Sequence, residues 1–144
     1  MTNPTTHIPV FEKTVAITHS WLRELKSIAG FSDEKEAYSV LRVVLHAIRD
    51  RLTIQEAAHF GAEMPMLVRG FYYEGWKPSV TPKKLRSMES FLDSVAESGR
   101  RMEKNKIECV HNVFRLLSNR ISAGEIADVR QSMPEDVRIL WPQE

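Results

Sequence analysis

The sequence predicts an all-α fold, a pseudo-symmetric bundle of about eight helices built from two duplicated four-helix units. Three observations carry this. Apolar residues recur at three- and four-residue steps through most of the chain. Ser, Thr or Asp stands three residues ahead of Glu where several of these runs begin, the pattern of a capped N-terminus. Period-two alternation of β-branched residues never lasts more than a few positions, so no sheet is expected.

The first helix is expected over 11–29. Phe11, Val15, Leu22, Leu25 and Ala29 fall on one face, and Glu12, Lys13, Arg23, Glu24 and Lys26 on the other. Gly30 can end it in the left-handed conformation, and Asp33 with Glu36 starts the next. In helix two Ala37, Val40, Leu41, Val44, Leu45, Ile48 and Leu52 form a wide apolar stripe, with Glu34, Lys35, Arg42, Arg49 and Asp50 expected outside. The capping box Thr53-Ile54-Gln55-Glu56 opens a short third helix over about 54–62. Pro65 interrupts it and suits the first turn of a fourth over 66–74, closed by Gly75. Two prolines, Pro78 and Pro82, mark 77–87 as a connector.

The second half resembles the first. Phe91, Val95 and Ala96 match Phe11, Val15 and Ala16 at an offset of eighty. Val113, Arg120, Glu125, Ala127, Met133, Pro134, Val137 and Arg138 match Val44, Arg51, Glu56, Ala58, Met64, Pro65, Val68 and Arg69 at sixty-nine. Counterpart helices follow over 88–102, 104–121, 123–131 and 135–140. The expected organisation is an N-terminal extension, 1–10, and one helical domain, 11–144, whose pseudo-repeats 11–76 and 88–141 share a core, since neither could bury its stripe alone.

Length and composition agree with a globular chain. The 144 residues are 42% hydrophobic and 27% charged, with 20 Lys and Arg against 19 Asp and Glu, a net charge of +1. Such balance argues against nucleic acid or an anionic membrane as the main partner. Cys109, the only cysteine, allows no intrachain disulfide, which with the lack of a basic start followed by an apolar run leads to a cytoplasmic expectation. Charges break every apolar stretch before the length of a membrane span.

The segment Arg51-Leu52-Thr53, Glu56-Ala57-Ala58 and then Met64-Pro65-Met66-Leu67-Val68-Arg69-Gly70-Phe71-Tyr72-Tyr73-Glu74-Gly75-Trp76-Lys77-Pro78 resembles the bacterial domain of unknown function 2267 family. The likeness extends over nearly all of 11–141. It rests on R-L-T-x-x-E-A, a proline turn, and R-G-x-Y-x-x-G-W-x-P, with Met64 where the family usually has Leu. The resemblance implies an all-helical bacterial protein and brings no activity and no catalytic residues with it.

Arg69 to Trp76 holds four aromatic residues, two glycines, an Arg and a Glu in eight positions. Successive helical residues turn by about 100°, so Phe71, Tyr72, Tyr73 and Trp76 cannot all face one way, and some aromatic surface is expected to stay accessible. The alternative is that these rings plug the junction between the halves, with Arg69 on helix-terminal carbonyls. The second half carries Arg138-Ile139-Leu140-Trp141-Pro142 at the equivalent place, without the tyrosine pair. Tyr72 and Tyr73 are therefore the preferred contacts, with Trp76, Arg69 and Glu74 beside them.

The spacing E-x-x-H occurs twice, Glu56 to His59 and Glu108 to His111, but lacks the further inward carboxylates that a di-iron bundle needs. No catalytic residue, cofactor or metal ligand is assigned. From Lys77 to Lys106 eight basic residues face four acidic ones, which admits weak nucleic-acid binding as a second alternative. The expected function is a non-enzymatic protein-interaction or scaffold domain that meets a protein partner or a second copy of the chain. The first alternative is a small-molecule or metal-binding pocket with modest enzymatic activity, lined by Tyr72, Tyr73, Glu74 and His59.

Overall fold

The computed structural model describes residues 6–83, 88–98 and 106–142. Among the described residues the chain is all-helical: α1 (Pro9–Ala29), α2 (Glu34–Arg49), α3 (Ile54–Ala62), α4 (Met66–Tyr73), a 3₁₀ turn at Pro78–Val80, α5 (Met88–Ser98), α6 (Lys106–Arg120), α7 (Ala123–Gln131) and α8 (Glu135–Arg138). Positions 84–87 of the connector and 99–105 at the expected junction of helices five and six lie outside the described residues.

Local chemistry sets the boundaries. Thr53 and Glu56 form a reciprocal box: the Glu56 amide donates to Thr53 Oγ1 at 3.1 Å and the Thr53 amide to Glu56 Oε1 at 2.8 Å. Asp33 caps α2 through the Glu36 amide at 2.9 Å, but Glu36 turns to Ser32 instead of returning the bond. Ser122 caps α7 through the Glu125 amide at 3.3 Å. Gly30 stands at φ 73°, where a β-carbon is strained, and donates to Lys26 O at 2.9 Å.

α2 lies at the centre, packed against α1, α4, α5 and α6. Leu41, Val44, Leu45 and Ile48 from α2 join Val110, Val113, Phe114, Leu116 and Leu117 from α6 in one cluster of buried residues that draws on both halves of the chain. Full burial of each such side chain contributes about 1.5–3 kcal/mol. Phe114 stacks on Trp141 with ring centroids 3.9 Å apart.

Two expectations need correction. Arg49, expected on the outside of helix two, is buried at 4% exposure. The N-terminal half of the α1 stripe is open: Phe11 is 54% and Val15 44% exposed, and the buried positions are Thr18, Trp21, Leu22 and Leu25. Helix length explains this. With 21 residues α1 runs about 31 Å at 1.5 Å per residue, while α2, with 16, runs about 24 Å. Among the described residues the first turn of α4 lies beside α1 at Thr14 and leaves Phe11 and Val15 open. Phe91 and Val95 are fully buried, so their burial does not parallel that of Phe11 and Val15. The helix begins at Pro9, inside the expected extension. No helix of the described residues is long and apolar enough to cross a membrane.

Candidate functional site

Three donors on α2 at helical spacing face the end of α4. Arg42 binds Glu74 through Nε at 2.8 Å and Nη2 at 2.6 Å. His46 Nε2 lies 2.7 Å from Phe71 O, and Arg49 Nη1 donates to Tyr72 O and Glu74 O, both at 2.8 Å. The last carbonyls of a helix have no partner within it, and positions 46 and 49 supply them from one face of a neighbour, while Arg42 on the same face pairs with the Glu74 carboxylate. Charge at this end also suits the helix dipole.

This ladder decides where the expected contact residues go. Tyr72 is fully buried, its hydroxyl donating to Ala57 O at 2.8 Å and its ring edge-on to Phe60. Burial pushes its phenol well above the usual range. It is a core residue in this fold, a correction to its reading as a contact. The position sixty-nine residues on is Trp141, also buried, so the second half keeps a buried aromatic there where no tyrosine was found. Arg69 donates to Gly61 O at 3.0 Å and Met64 O at 2.9 Å, closing the end of α3. Arg138 repeats this on Met133 O at 2.9 Å and Gln131 O at 3.3 Å. Glu74 is exposed but tied to Arg42. Tyr73 and Trp76 are half-buried, with ring centroids 5.3 Å apart.

Gly61 is needed under this aromatic pair. A β-carbon there would lie 2.5 Å from Tyr73 Oη and 2.9 Å from Tyr72 Cε2. The Tyr73 tip can swing outward, whereas the Tyr72 ring is locked. Gly61→Ala is expected to cost about 1–3 kcal/mol of stability, read from denaturant midpoints, and less in a Tyr73→Phe background.

His46 is held largely neutral by burial, with Arg49 and Arg42 opposing its charge and Phe71 O favouring it. A base whose folded pKa is depressed stabilises the fold above its unfolded value, about 6.5, and the contribution is lost as pH falls from there towards the folded value. Stability measured between roughly pH 5 and 7 is therefore expected to decline on acidification, and His46→Gln to flatten that decline.

A cleft of about 390 Å³ between α3 and α7 is lined by Glu56, His59, Glu125, Asp128, Val129, Gln131 and Ser132. The Ser132 hydroxyl donates to Glu56 Oε2 at 2.8 Å, and across the pair Glu63 accepts from the Ser122 amide at 3.0 Å and hydroxyl at 2.9 Å. Burial, with Glu63 and Asp128 nearby, raises the Glu125 carboxyl. His59 sits here, away from Tyr72, Tyr73 and Glu74, so the four residues of the pocket alternative do not line one cavity. His111 is 2.7 Å from Leu140 O, and no group of three metal-ligating side chains occurs among the described residues. Burial and Glu108 push the Cys109 thiol up, away from the reactive thiolate. Of the basic stretch, Lys84, Arg86, Arg100, Arg101 and Lys104 lie outside the described residues.

Six of the large exposed apolar residues lie on α1 and α4. Ile8, Val10, Phe11 and Val15 are open on α1, and Met66 and Leu67 on the first turn of α4. The Leu67 amide donates to Thr14 Oγ1 at 3.0 Å, which seats that turn beside α1. Sequence reasoning missed this surface, because periodicity tells which residues share a face and not what covers it.

Among the described residues, an all-helical chain with capped carbonyls inside and exposed apolar side chains on α1 and α4 defines a helical domain. The family model described as "Uncharacterized conserved protein (DUF2267)" matches residues 18–140, and the chain belongs to that family. No curated protein matches the chain. The match begins at Thr18, the first buried residue of α1, so the overhanging turns precede it.

Proposed function

We propose that the chain is a non-enzymatic protein-interaction domain whose contact surface is the strip formed by the first turns of α1 and α4. One observation supports the reading above others: six large apolar side chains, Ile8, Val10, Phe11, Val15, Met66 and Leu67, are open to solvent on adjoining elements. Clustered apolar exposure on a well-packed chain marks surfaces that meet another molecule. The half-buried Tyr73 and Trp76 serve the α3–α4 packing in this reading, and Arg69, Glu74 and Tyr72 hold the scaffold. A Phe11→Glu/Leu67→Glu variant of unchanged helicity and thermal midpoint is expected to lose the proteins that co-purify with the wild type. An unchanged set would overturn the reading.

We also infer that the two halves are copies of one unit. Burial supports it at an offset of sixty-nine: Leu41 and Val110, Val44 and Val113, Leu45 and Phe114, Ile48 and Leu117, Met64 and Met133, and Val68 and Val137 are buried in step. The Arg69 and Arg138 caps add a matched polar contact.

A further inference from the structure

Phe11, Glu12, Val15, Ala16 and His19 line a shallow groove along the open side of α1. We propose that this groove receives the same groove of a second copy of the chain, the two α1 helices lying antiparallel about a two-fold axis beside Val15 and Ala16. This rests on the interaction reading and names its occupant.

The groove carries its own complement. An acid, Glu12, stands at one end and a base, His19, at the other, seven residues or about 10 Å along the helix. A two-fold axis reverses the copy, so each Glu12 meets the His19 of the other chain and each Val15 meets the small Ala16, which leaves room for it. Both polar ends are held: Glu12 Oε1 is 2.8 Å from His7 Nδ1, and His19 Nδ1 is 2.7 Å from Glu34 Oε1, which turns its Nε2 away from Glu34. A parallel copy would set acid against acid. Antiparallel helices also place opposite dipole ends side by side. Ile8, one turn before Phe11 and Glu12, extends the apolar area at the rim. One helix pair with such a rim falls below the usual 800 Å² or so per partner, which places the expected affinity in the micromolar range.

The test is sedimentation velocity on the full chain across roughly 1 µM to 1 mM, the range such a contact spans. The wild type is expected to pass from monomer to dimer, and Val15→Glu to weaken dimerisation at least about tenfold while keeping its fold. In a Cys109→Ser background, Ala16→Cys is expected to form a disulfide-linked dimer on mild oxidation. Lys13→Cys, turned away from the groove by the 100° step per residue, is expected not to. A monomer at every concentration, or a dimer linked as readily through Lys13→Cys as through Ala16→Cys, would overturn the proposal. A monomer whose co-purifying proteins still disappear on Phe11→Glu/Leu67→Glu would remove the second copy alone. If that variant changes nothing, the interaction reading falls as well.

Discussion

Tyr72→Ala is expected to cost about 3–5 kcal/mol of stability, the range for removing a buried aromatic side chain. The ring is fully buried and edge-on to Phe60, with centroids 5.6 Å apart, and Tyr73 leans on its other side at 4.8 Å. Collapse of α3 onto α4 is hindered by the bonds Arg69 makes from one to the other, so much of the cavity should persist. Tyr72→Phe isolates the hydroxyl. It leaves Ala57 O without its side-chain donor and is expected to cost about 1–2 kcal/mol. Denaturant titrations measure both. A Tyr72→Ala chain as stable as the wild type would put the ring outside the core.

Arg49→Ala carries the second large effect, about 2–4 kcal/mol. The guanidinium is buried, pairs with Asp50 at 2.9 Å, and bonds two carbonyls at the end of α4. Its loss strands Tyr72 O and Glu74 O and leaves Asp50 without that cation. Asp50 keeps some contact with water, which holds the figure below that of a fully buried pair. Arg49→Met retains the apolar stem and should recover the packing part alone. Arg49→Lys keeps the charge but not the fork and is expected to fall between the two. Stability of all three variants equal to that of the wild type would show that the carbonyl bonds carry no weight.

The legible parts of the fold are those set by neighbours in sequence. The limits of α3 and α7 follow from Thr53 with Glu56 and from Ser122 with Glu125, three residues apart. The α2 stripe follows from spacing alone, whereas Arg69, expected among the contacts with carbonyl capping as the alternative, caps the end of α3. The misreadings of Arg49 and Tyr72 turn on residues far along the chain, that of Phe11 and Val15 on what covers a face. Arg49 reads as surface because its acceptors, Tyr72 O and Glu74 O, are more than twenty residues away. Tyr72 reads as a contact because its matched position holds a different aromatic, Trp141, and only burial shows the two to be alike. Phe11 and Val15 read as core because they continue a stripe that becomes buried only from Thr18 onward.

The same misreading points to function. In the proposed reading the apolar stripe that continues beyond the buried part of α1 meets a second molecule, and Glu12 and His19 of its groove are the matching acid and base. Amide hydrogen exchange of the full chain at low and high protein concentration tests this most directly. Slower exchange confined to residues 9–19 at high concentration, abolished by Val15→Glu, is the result expected. Exchange in α1 that is independent of concentration would contradict the account.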